Sequence, residues 1–374
     1  MNADRSSFSL ALTQVLMGSM TNWYGADNWD YERFGPHKAS FKSFLISKLN
    51  ELSSRRVSIV PRDVSHELVN LSAIQGSIEK LSALYDLLED EPSKSTLVML
   101  VAFRIMGYKR VKLPLNTSSY WPDRESARSL IKGKDTIKIK FHNWALSRFE
   151  LDDIGYPIEL FFLPGGVFAN FILKQYEYRK RSPAITAQEG DYVIDAGGCW
   201  GDTALYFAHM VGARGRVYAF EFVPENLDVF KQNMDLNPEL AERIELVPKA
   251  LWNKSDEEIA YSYNGPGTSL GASQDGSVKV STLSIDDFVS KENLARVDFI
   301  KMDIEGAELL ALRGAEETIR KFKPTLGISV YHKESDLTDI PRYIDGLDTG
   351  YKFFLDHFTI HQEETVLFAI PGGK

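Results

Sequence analysis

The densest group of side chains that could do chemistry lies in VDFIKMDIEGAELLALRGAEETI, residues 297–319. An apolar run of strand length ends there in Asp303, and Glu305 follows two residues later. Side chains two apart on a strand point to the same side, and open α/β sheets bind ligands at the C-terminal strand ends. We therefore expect both carboxylates to face a ligand, with Glu305 as a cation contact, a general base or a divalent-ion ligand. A favourable charge at a helix N-terminus is the structural alternative for Glu305.

Two further side chains belong to the same edge of the predicted sheet. His332 follows the apolar run TLGISVY, residues 325–331, and a positioned imidazole can take the proton of a reacting hydroxyl group. We rank His332 first as the base and Glu305 second, with Asp303 as the orienting group. Lys301 shares a strand face with Asp303 and either steers an anionic substrate or extends its ammonium group to solvent. A structural or exposed position is the alternative for His332.

A second candidate site is the glycine-rich turn in DYVIDAGGCWGDTALYF, residues 191–207. An apolar strand leads into this turn, and a helical pattern follows it. Glycines let the backbone turn sharply and approach a ligand closely, and a helix N-terminus attracts anionic groups. The residues that we expect to bind a cofactor here are Asp195, Gly197, Gly198, Gly201, Asp202 and Thr203.

Asp195 distinguishes two classes of cofactor. A dinucleotide site uses the pattern G-x-G-x-x-G, and Ala196 stands where its first glycine belongs. A carboxylate at the strand tip repels a pyrophosphate, whereas it suits a cofactor with an amino group and a sulfonium. The spacing Asp195-x-Gly197-x-x-x-Gly201 is the D-x-G-x-x-x-G form of S-adenosylmethionine (SAM) sites. A purely structural turn is the remaining alternative.

The next two predicted strands supply further cofactor contacts. Glu221 ends the run VYAFE, 20 residues after the last glycine of the turn, where a carboxylate can accept hydrogen bonds from both ribose hydroxyls. We expect Phe222 to pack on the adenine, and the backbone of Ala250 and Leu251 to border it after the third strand. Asn226 either reaches the ribose or caps the following helix.

Short apolar runs alternate with helical patterns from residue 191 onward, which is typical of a parallel sheet with helices on both faces. The runs lie at 193–197, 217–221, 244–247, 297–303 and 325–331. The last two runs, 351–358 and 364–370, have only five residues between them, which is too short for a crossover. They therefore predict an antiparallel hairpin at the sheet edge. His357 lies on this hairpin and can face the cleft, whereas we expect His361, in its turn, to be solvated.

The first third of the chain shows helical periodicity instead. Apolar residues recur at helical spacing over 41–52 and 68–88, and the segment 97–106 predicts a short helix or a buried strand. We predict a mainly helical region over residues 1–130 that covers the cleft or provides a homodimer surface. A second domain is predicted over residues 131–374.

The segments around this boundary give further expectations. The polar stretch 114–134 predicts a linker or an exposed loop, and TIKIKF, residues 136–141, a half-buried strand. A helix is predicted over 167–181, ahead of a Ser-Pro pair. The Gly- and Pro-rich loop 265–271 is either a lid over an acceptor or a long turn.

The composition argues against several classes of partner. A formal net charge of −9 disfavours a broad phosphate-binding face for nucleic acid. No run of about 18 apolar residues occurs, so we expect no membrane-spanning helix, and the N-terminus lacks a signal-peptide pattern. Cys199 is the one cysteine, so no intramolecular disulfide forms, and we expect a cytoplasmic protein in which this thiol is a small filler.

Five stretches together resemble the FkbM family of SAM-dependent methyltransferases: VIDAGGCWGDTALYFA, VYAFEFVPENL, KALWN, DFIKMDIEGAELLALRGAEETI and KPTLGISVYHK. The resemblance covers roughly residues 160–370, and D-I-E-G-A-E is its most specific block. It implies an α/β fold, a Rossmann-like class I methyltransferase with a seven-stranded, mostly parallel sheet that ends in an antiparallel hairpin. It also implies SAM as the methyl donor, with Asp195, Gly197 and Gly201 at the turn, Glu221 at the ribose and Asp303 at the donor end.

The family further implies O-methylation of a hydroxyl group on a sugar, a polyketide or a similar small acceptor. Methyl transfer from a sulfonium is an in-line displacement, so catalysis rests mainly on alignment, with help from a base. An NAD-dependent oxidoreductase or epimerase and a non-catalytic SAM-binding module are the alternatives.

The chain departs from a common version of the family pattern at one position. Many members carry an acid in P-x-L-x-x-E-x-H, where this chain has Ser329, which puts a metal or base role of an acid there in doubt. The spacing of His, Asp and Glu residues is not a recognised ligand motif, so we predict no metal.

Overall fold

The computed structural model describes residues 7–37, 70, 74–271 and 278–372. The chain divides into two compact units, of which the first takes in residues up to Tyr120 together with Phe354–Thr365. The second unit comprises Trp121–Phe353 and the residues from Val366 onward. The limits 1–130 and 131–374 stay a prediction for the domains as functional units, as does the covering or dimerising role of the first region.

The first unit is built mainly from helices. Its described elements are the helices Ser7–Ser19, Tyr31–Phe34, Ile78–Leu87 and Glu91–Met106 and the 3-10 turn Gly25–Asn28. The helical repeat predicted over 41–52 lies outside the described residues, as does much of the one over 68–88.

The segment 97–106, for which the sequence predicted either a helix or a buried strand, is part of the helix Glu91–Met106. Its N-cap is Asp90, whose side chain accepts a hydrogen bond from the Ser93 amide at 3.0 Å. The Ser93 hydroxyl oxygen in turn accepts a hydrogen bond from the Leu355 amide at 2.9 Å, which fastens the segment Phe354–Thr365 to this unit.

The two histidines of the predicted hairpin are buried in this unit. His361 is 8% exposed, so the prediction that it is solvated is wrong. Its Nε2 lies 3.6 Å from Asp30 Oδ2, and its ring packs edge-on against Phe34. The ring nitrogens of His357 lie within hydrogen-bond distance of the hydroxyls of Thr365 and Thr359, at 2.9 and 3.3 Å.

The described residues contain fourteen strands in three sheets. In chain order they are β1 Ile131–Lys138, β2 Ala145–Glu150, β3 Glu159–Phe162, β4 Tyr192–Ala196, β5 Arg216–Phe220, β6 Ile244–Val247, β7 Ala250–Leu251, β8 Glu258–Ser262, β9 Ser269–Leu270, β10 Lys279–Leu283, β11 Phe299–Met302, β12 Thr325–Ser329, β13 Tyr351–His357 and β14 Thr365–Pro371.

The main sheet has seven strands in the order β13-β14-β12-β11-β4-β5-β6. Strands β12, β11, β4, β5 and β6 pair in parallel, and β14 pairs antiparallel to β12. The predicted class, a mostly parallel sheet that ends in a reversed pair of strands, is therefore confirmed. The order also shows that the chain changes direction between β4 and β11, and such a switch point is where open α/β sheets bind ligands.

Helices connect the strands of the second unit. Those described are Tyr120–Ser126, Pro164–Val167, Asp202–Val211, Pro224–Leu236, Pro238–Ala241, Ile285–Lys291, Glu308–Arg313, Glu316–Phe322 and Asp336–Asp345, together with the π-helical turn Phe168–Ile172. Among the described parts of the chain, no helix combines the length and the apolar character that a bilayer crossing needs.

Two local predictions at the start of this unit are wrong, and a third is right in burial but not in extent. The polar stretch 114–134 contains the helix Tyr120–Ser126 and the beginning of β1, because buried apolar side chains such as Tyr120, 1% exposed, anchor it. Along residues 136–141, exposed side chains alternate with buried or half-buried ones as predicted, but strand β1 ends at Lys138 and covers only the first three of these residues. The helix predicted over 167–181 ends at Ile172, since Lys174 adopts a left-handed backbone with φ 59°.

Candidate active site

The glycine turn follows β4, and two of its glycines have backbones in the left-handed region. Gly197 has φ 83° and Gly201 has φ 87°, which glycine adopts at little cost. The amides of Gly197 and Gly198 both donate to the Phe220 carbonyl, at 3.0 and 2.9 Å. A Cβ atom at position 197 would lie 1.9 Å from the Asp303 carbonyl oxygen. The close approach that requires a glycine there is thus to the protein's own backbone.

Asp195 lies at the end of β4 and is fully buried. Its Oδ1 is 3.0 Å from the Lys301 ammonium nitrogen, and its Oδ2 accepts a hydrogen bond from the Thr203 hydroxyl at 2.7 Å. The negative charge of Asp195 is therefore balanced inside the protein. The expectation that this carboxylate repels or attracts a cofactor directly needs correction, because Lys301 cancels most of its field.

Lys301 is placed differently from both sequence interpretations. Its side chain is 1% exposed, so it neither steers a substrate from the surface nor reaches solvent. The ammonium nitrogen donates to the carbonyls of Ala196 and Gly197 at 3.1 and 2.6 Å, besides pairing with Asp195. The strand register explains this, since Lys301 on β11 lies directly opposite Asp195 on β4.

Asp202 and Thr203 begin the helix that follows the turn, and both are buried. Asp202 accepts a hydrogen bond from the Asn170 side chain at 2.6 Å. Burial raises the pKa of Asp202 to about 7, against the opposing effect of the Lys301 charge. Burial also raises the pKa of the Cys199 thiol, so this cysteine is not an activated nucleophile.

Glu221 follows β5 and is held by its own loop. Its Oε1 accepts hydrogen bonds from the amides of Phe222 and Val223 at 2.6 and 2.7 Å, and its Oε2 accepts one from Asn226 at 3.2 Å. Burial raises the pKa of Glu221 to about 7, and these hydrogen bonds oppose the shift. A carboxylate fixed in this way keeps lone pairs on Oε2 for a further donor.

The remaining predicted cofactor contacts lie on neighbouring elements. Phe222 packs edge-on against Tyr261 with ring centroids 5.0 Å apart. Ala250 and Leu251 form β7, which pairs in parallel with β10, and they are 1% and 4% exposed. Their side chains belong to the core.

The structure brings Asp303, Glu305 and His332 together, as the sequence predicted, beyond the ends of β11 and β12. His332 Nε2 lies 3.4 Å from Asp303 Oδ1 and 3.4 Å from Glu305 Oε2. On the other side of the ring, His332 Nδ1 is 2.9 Å from Glu308 Oε1. We call these four residues the carboxylate–histidine cluster.

His332 carries its charge at neutral pH. Burial favours the neutral ring, but the carboxylates of Glu308, Asp303 and Glu305 outweigh burial and raise the pKa of His332 to about 10. An imidazolium has no lone pair with which to accept a proton. The ranking of His332 before Glu305 as the base stays a prediction, and the carboxylates are the groups of the cluster that have lone pairs to accept a proton.

Asp303 is the second charged centre of the cluster. Burial alone would raise its pKa, but the charges of His332 and Lys301 and a hydrogen bond from Tyr176 hold the pKa of Asp303 below its usual value. The Tyr176 hydroxyl donates to Asp303 Oδ2 at 2.8 Å. Asp303 is therefore a stable anion suited to accept hydrogen bonds.

Exposure separates the members of the cluster. The side chains of Glu305 and Asp303 are 33% and 23% exposed, whereas those of His332 and Glu308 are 8% and 0% exposed. A Cβ atom on Gly267 would lie 3.9 Å from the Glu305 carboxyl carbon, so the Gly-Pro-Gly loop borders this side chain. The two accessible carboxylates are the groups that a ligand can reach.

Sequence reasoning missed Glu308 and Tyr176. Glu308 is fully buried, accepts a hydrogen bond from the Ile304 amide at 2.8 Å and fixes the imidazole from behind. Its signal was the third acid of D-I-E-G-A-E, three residues after Glu305. Tyr176 lay in a segment predicted to be helical, and no pattern around it indicated a contact with Asp303.

The donor atoms of Asp303, Glu308 and His332 all lie within 4.8 Å of one another, close enough to surround one cation. Such a set suits a divalent ion in its ligand types. A divalent ion held by these residues would need a neutral His332, because a ring nitrogen binds a metal through its lone pair.

Comparison with known proteins agrees with this geometry. Residues 185–353 match the model of the methyltransferase FkbM domain. Methyltransferase 1 of Beauveria bassiana (strain ARSEF 2860) is 25% identical, over 39% of this chain and 67% of the relative.

A crystal structure of an FkbM methyltransferase from Methylobacillus flagellatus KT superposes with a TM-score of 0.52 at 18% identity, covering 88% of this chain and 71% of that chain. At that identity, the superposition supports the fold alone. The matched residues contain the glycine turn and the carboxylate–histidine cluster. Residues 185–353 are therefore similar to the methyltransferase FkbM domain.

Proposed function

We propose that the protein is a SAM-dependent O-methyltransferase that methylates a hydroxyl group of an uncharged, hydroxylated small molecule such as a carbohydrate or a polyketide. One observation carries the proposal. The glycine turn and the carboxylate–histidine cluster meet at Gly197, where a Cβ atom would lie 1.9 Å from the Asp303 carbonyl oxygen. A cofactor held by the turn would therefore have two reachable carboxylates beside it.

The residues around the turn fit SAM by their chemistry. Glu221 offers Oε2 to ribose hydroxyls, and Phe222 offers an aromatic ring beside it. The partly exposed carboxylate of Asp303 suits the cationic amino acid end of this cofactor. When bound, SAM supplies an electrophilic methyl group on a sulfonium.

The cluster would prepare the acceptor for transfer. His332 keeps Asp303 ionised, so that Asp303 accepts a hydrogen bond from the acceptor hydroxyl and orients it. Glu305, the more exposed carboxylate, takes the hydroxyl proton as the oxygen attacks. Glu308 holds the imidazolium in place from behind.

The charge of the cluster selects against anionic acceptors. It contains three carboxylates and one imidazolium, so it carries an excess of negative charge at neutral pH. A phosphate or a carboxylate on the acceptor would be repelled, whereas hydroxyl groups of a neutral sugar or polyketide would find hydrogen-bond acceptors.

Two measurements test the proposal. Isothermal titration calorimetry with SAM, S-adenosylhomocysteine and NAD should give binding for the first two alone. Incubation with methyl-labelled SAM and a panel of neutral and acidic glycosides and polyketides should then label neutral acceptors at oxygen. If the protein bound NAD but not SAM, the proposal that SAM is the cofactor would be overturned. Tight SAM binding with no labelled product would indicate a non-catalytic SAM-binding module.

A further inference from the structure

Lys301 is a buried lysine in the candidate site, and methyl transfer does not by itself require a buried cation there. It lies on β11 between β4 and β12, and its side chain is 1% exposed. Its ammonium group donates to the Ala196 carbonyl at 3.1 Å and to the Gly197 carbonyl at 2.6 Å, and it forms an ion pair with Asp195 Oδ1 at 3.0 Å. All of these belong to the end of β4 and the start of the glycine turn.

The same charge acts on both halves of the site. The positive charge of Lys301 also favours the ionised form of three carboxylates that it does not touch. They are Asp202 on the helix after the turn, Glu221 after β5 and Asp303 after β11. The ring of Tyr176, which donates to Asp303, lies with its centroid 5.5 Å from the ammonium nitrogen.

We propose that Lys301 is a positioning residue of the methyltransferase site, which ties the start of the glycine turn to β11 and provides one positive charge for the carboxylates on both sides. The inference rests on the proposed function for its catalytic consequences. Lys301 touches neither substrate nor cofactor in this role. It acts through the Gly197 carbonyl and through Glu221 and Asp303.

A plain structural ion pair is the competing explanation, and a double variant separates the two. Lys301→Met alone leaves Asp195 buried without a counter-charge, which destabilises the fold strongly and can prevent folding. Asp195→Asn with Lys301→Met removes both charges and avoids that penalty. Lys291→Met, which removes an exposed lysine of the helix Ile285–Lys291, is the control for a lost surface charge.

The double variant should fold but bind SAM at least about 10-fold more weakly. In the single variant Lys301→Met, the acid limb of the kcat/KM profile should move to higher pH, because Glu221 and Asp303 lose the positive charge that favours their ionised forms. In the double variant it should move less, because the negative charge of Asp195 is removed as well. The Lys291→Met control should match the wild type. A folded double variant with wild-type affinity would reduce Lys301 to a partner of Asp195 and overturn the proposal.

Amide hydrogen exchange measures how firmly Lys301 holds the glycine turn, and it needs no cofactor. The amides of Gly197 and Gly198 donate to the Phe220 carbonyl, and they should exchange at least about 10-fold faster in the double variant. Unchanged exchange would contradict the inference. A wild-type protein that fails to bind SAM would contradict the proposed function, and this exchange measurement would still decide the role of Lys301.

Discussion

The two sides of the candidate site differ in how they treat charge. We call the glycine turn with Asp195 and Lys301 the turn side, and the carboxylate–histidine cluster the cluster side. On the turn side, the side chains of Asp195 and Lys301 are 0% and 1% exposed and neutralise each other. On the cluster side, Asp303 and Glu305 remain 23% and 33% exposed, and three carboxylates surround one imidazolium. Buried, paired charges fix a backbone, whereas accessible and uncompensated charges are available to a ligand. Under the proposed function, we expect the turn side to hold the cofactor loop in place and the cluster side to carry out the proton chemistry.

The largest expected effect is a steric one on the turn side. Gly197→Ala would place a Cβ atom 1.9 Å from the Asp303 carbonyl oxygen, so the turn and the cluster must separate. We expect SAM binding to be lost and the free energy of unfolding to fall by more than about 3 kcal/mol. Calorimetry with SAM and urea unfolding measure the two effects.

Gly190→Ala is the matched control for that change. Gly190 has φ 87°, close to the 83° of Gly197, but a Cβ atom there would meet no atom within 4 Å. It should cost only the backbone strain of about 1–2 kcal/mol and leave SAM affinity unchanged. Equal losses in both variants would show that strain, and not the contact with Asp303, requires a glycine at position 197.

The next effect belongs to the cluster side. Glu305→Gln removes the proposed proton acceptor but keeps the shape of the side chain, so kcat should fall by about 10²–10⁴-fold with SAM affinity within about threefold of the wild type. Glu334→Gln, an exposed acid two residues after His332, is the control for the lost charge. A wild-type kcat in Glu305→Gln would transfer the role of base to Asp303.

The sequence predicted the residues of this comparison better than it predicted their roles. The alternation of apolar runs with helical patterns predicted the parallel sheet. The positions of Asp303, Glu305 and His332 after two predicted strands indicated that their side chains lie close together, as the structure shows. Such statements follow from local spacing, because strand ends meet at one edge of a parallel sheet.

Partners across the sheet could not be obtained from spacing. Lys301 lies opposite Asp195 because β11 lies beside β4, and that order is set by packing. Without the register, Asp195 remained an unpaired charge, and the argument about pyrophosphate repulsion followed from that error. Glu308 was similarly hidden, since its contact with His332 joins a helix to the end of another strand.

The charge of His332 gives the third prediction. Its pKa is raised from 6.5 to about 10, so the stabilisation by the imidazolium is complete below pH 6.5 and is lost as the pH rises towards 10. Glu308→Gln removes a carboxylate beside the ring and should lower this pKa by at least about one unit, or about 1.4 kcal/mol. The decline in melting temperature should then begin near pH 6.5 as in the wild type, but it should end at a lower pH and be smaller in total.

The histidine resonances in NMR spectra provide the direct measurement for this variant. Assignment of the His332 signal by comparison with His332→Gln would give its pKa in the wild type and in Glu308→Gln. A wild-type pKa near 6.5 would mean that His332 is neutral at physiological pH, which would restore it as the first candidate for the base and would contradict the division of roles drawn above.

The smallest expected effect tests whether the turn side is only a holding device. Thr203→Val keeps the shape of the side chain but removes its 2.7 Å hydrogen bond to Asp195, leaving one buried carboxylate oxygen without that donor. We expect a loss of about 1–2 kcal/mol in the free energy of unfolding and a change in kcat below about twofold. Thr13→Val, whose hydroxyl donates to a carbonyl on an exposed helix, should cost less than about 0.5 kcal/mol. Thr203 is linked to Lys301 through Asp195. A large fall in kcat at unchanged stability in Thr203→Val would therefore contradict the division between a holding turn side and a reactive cluster side.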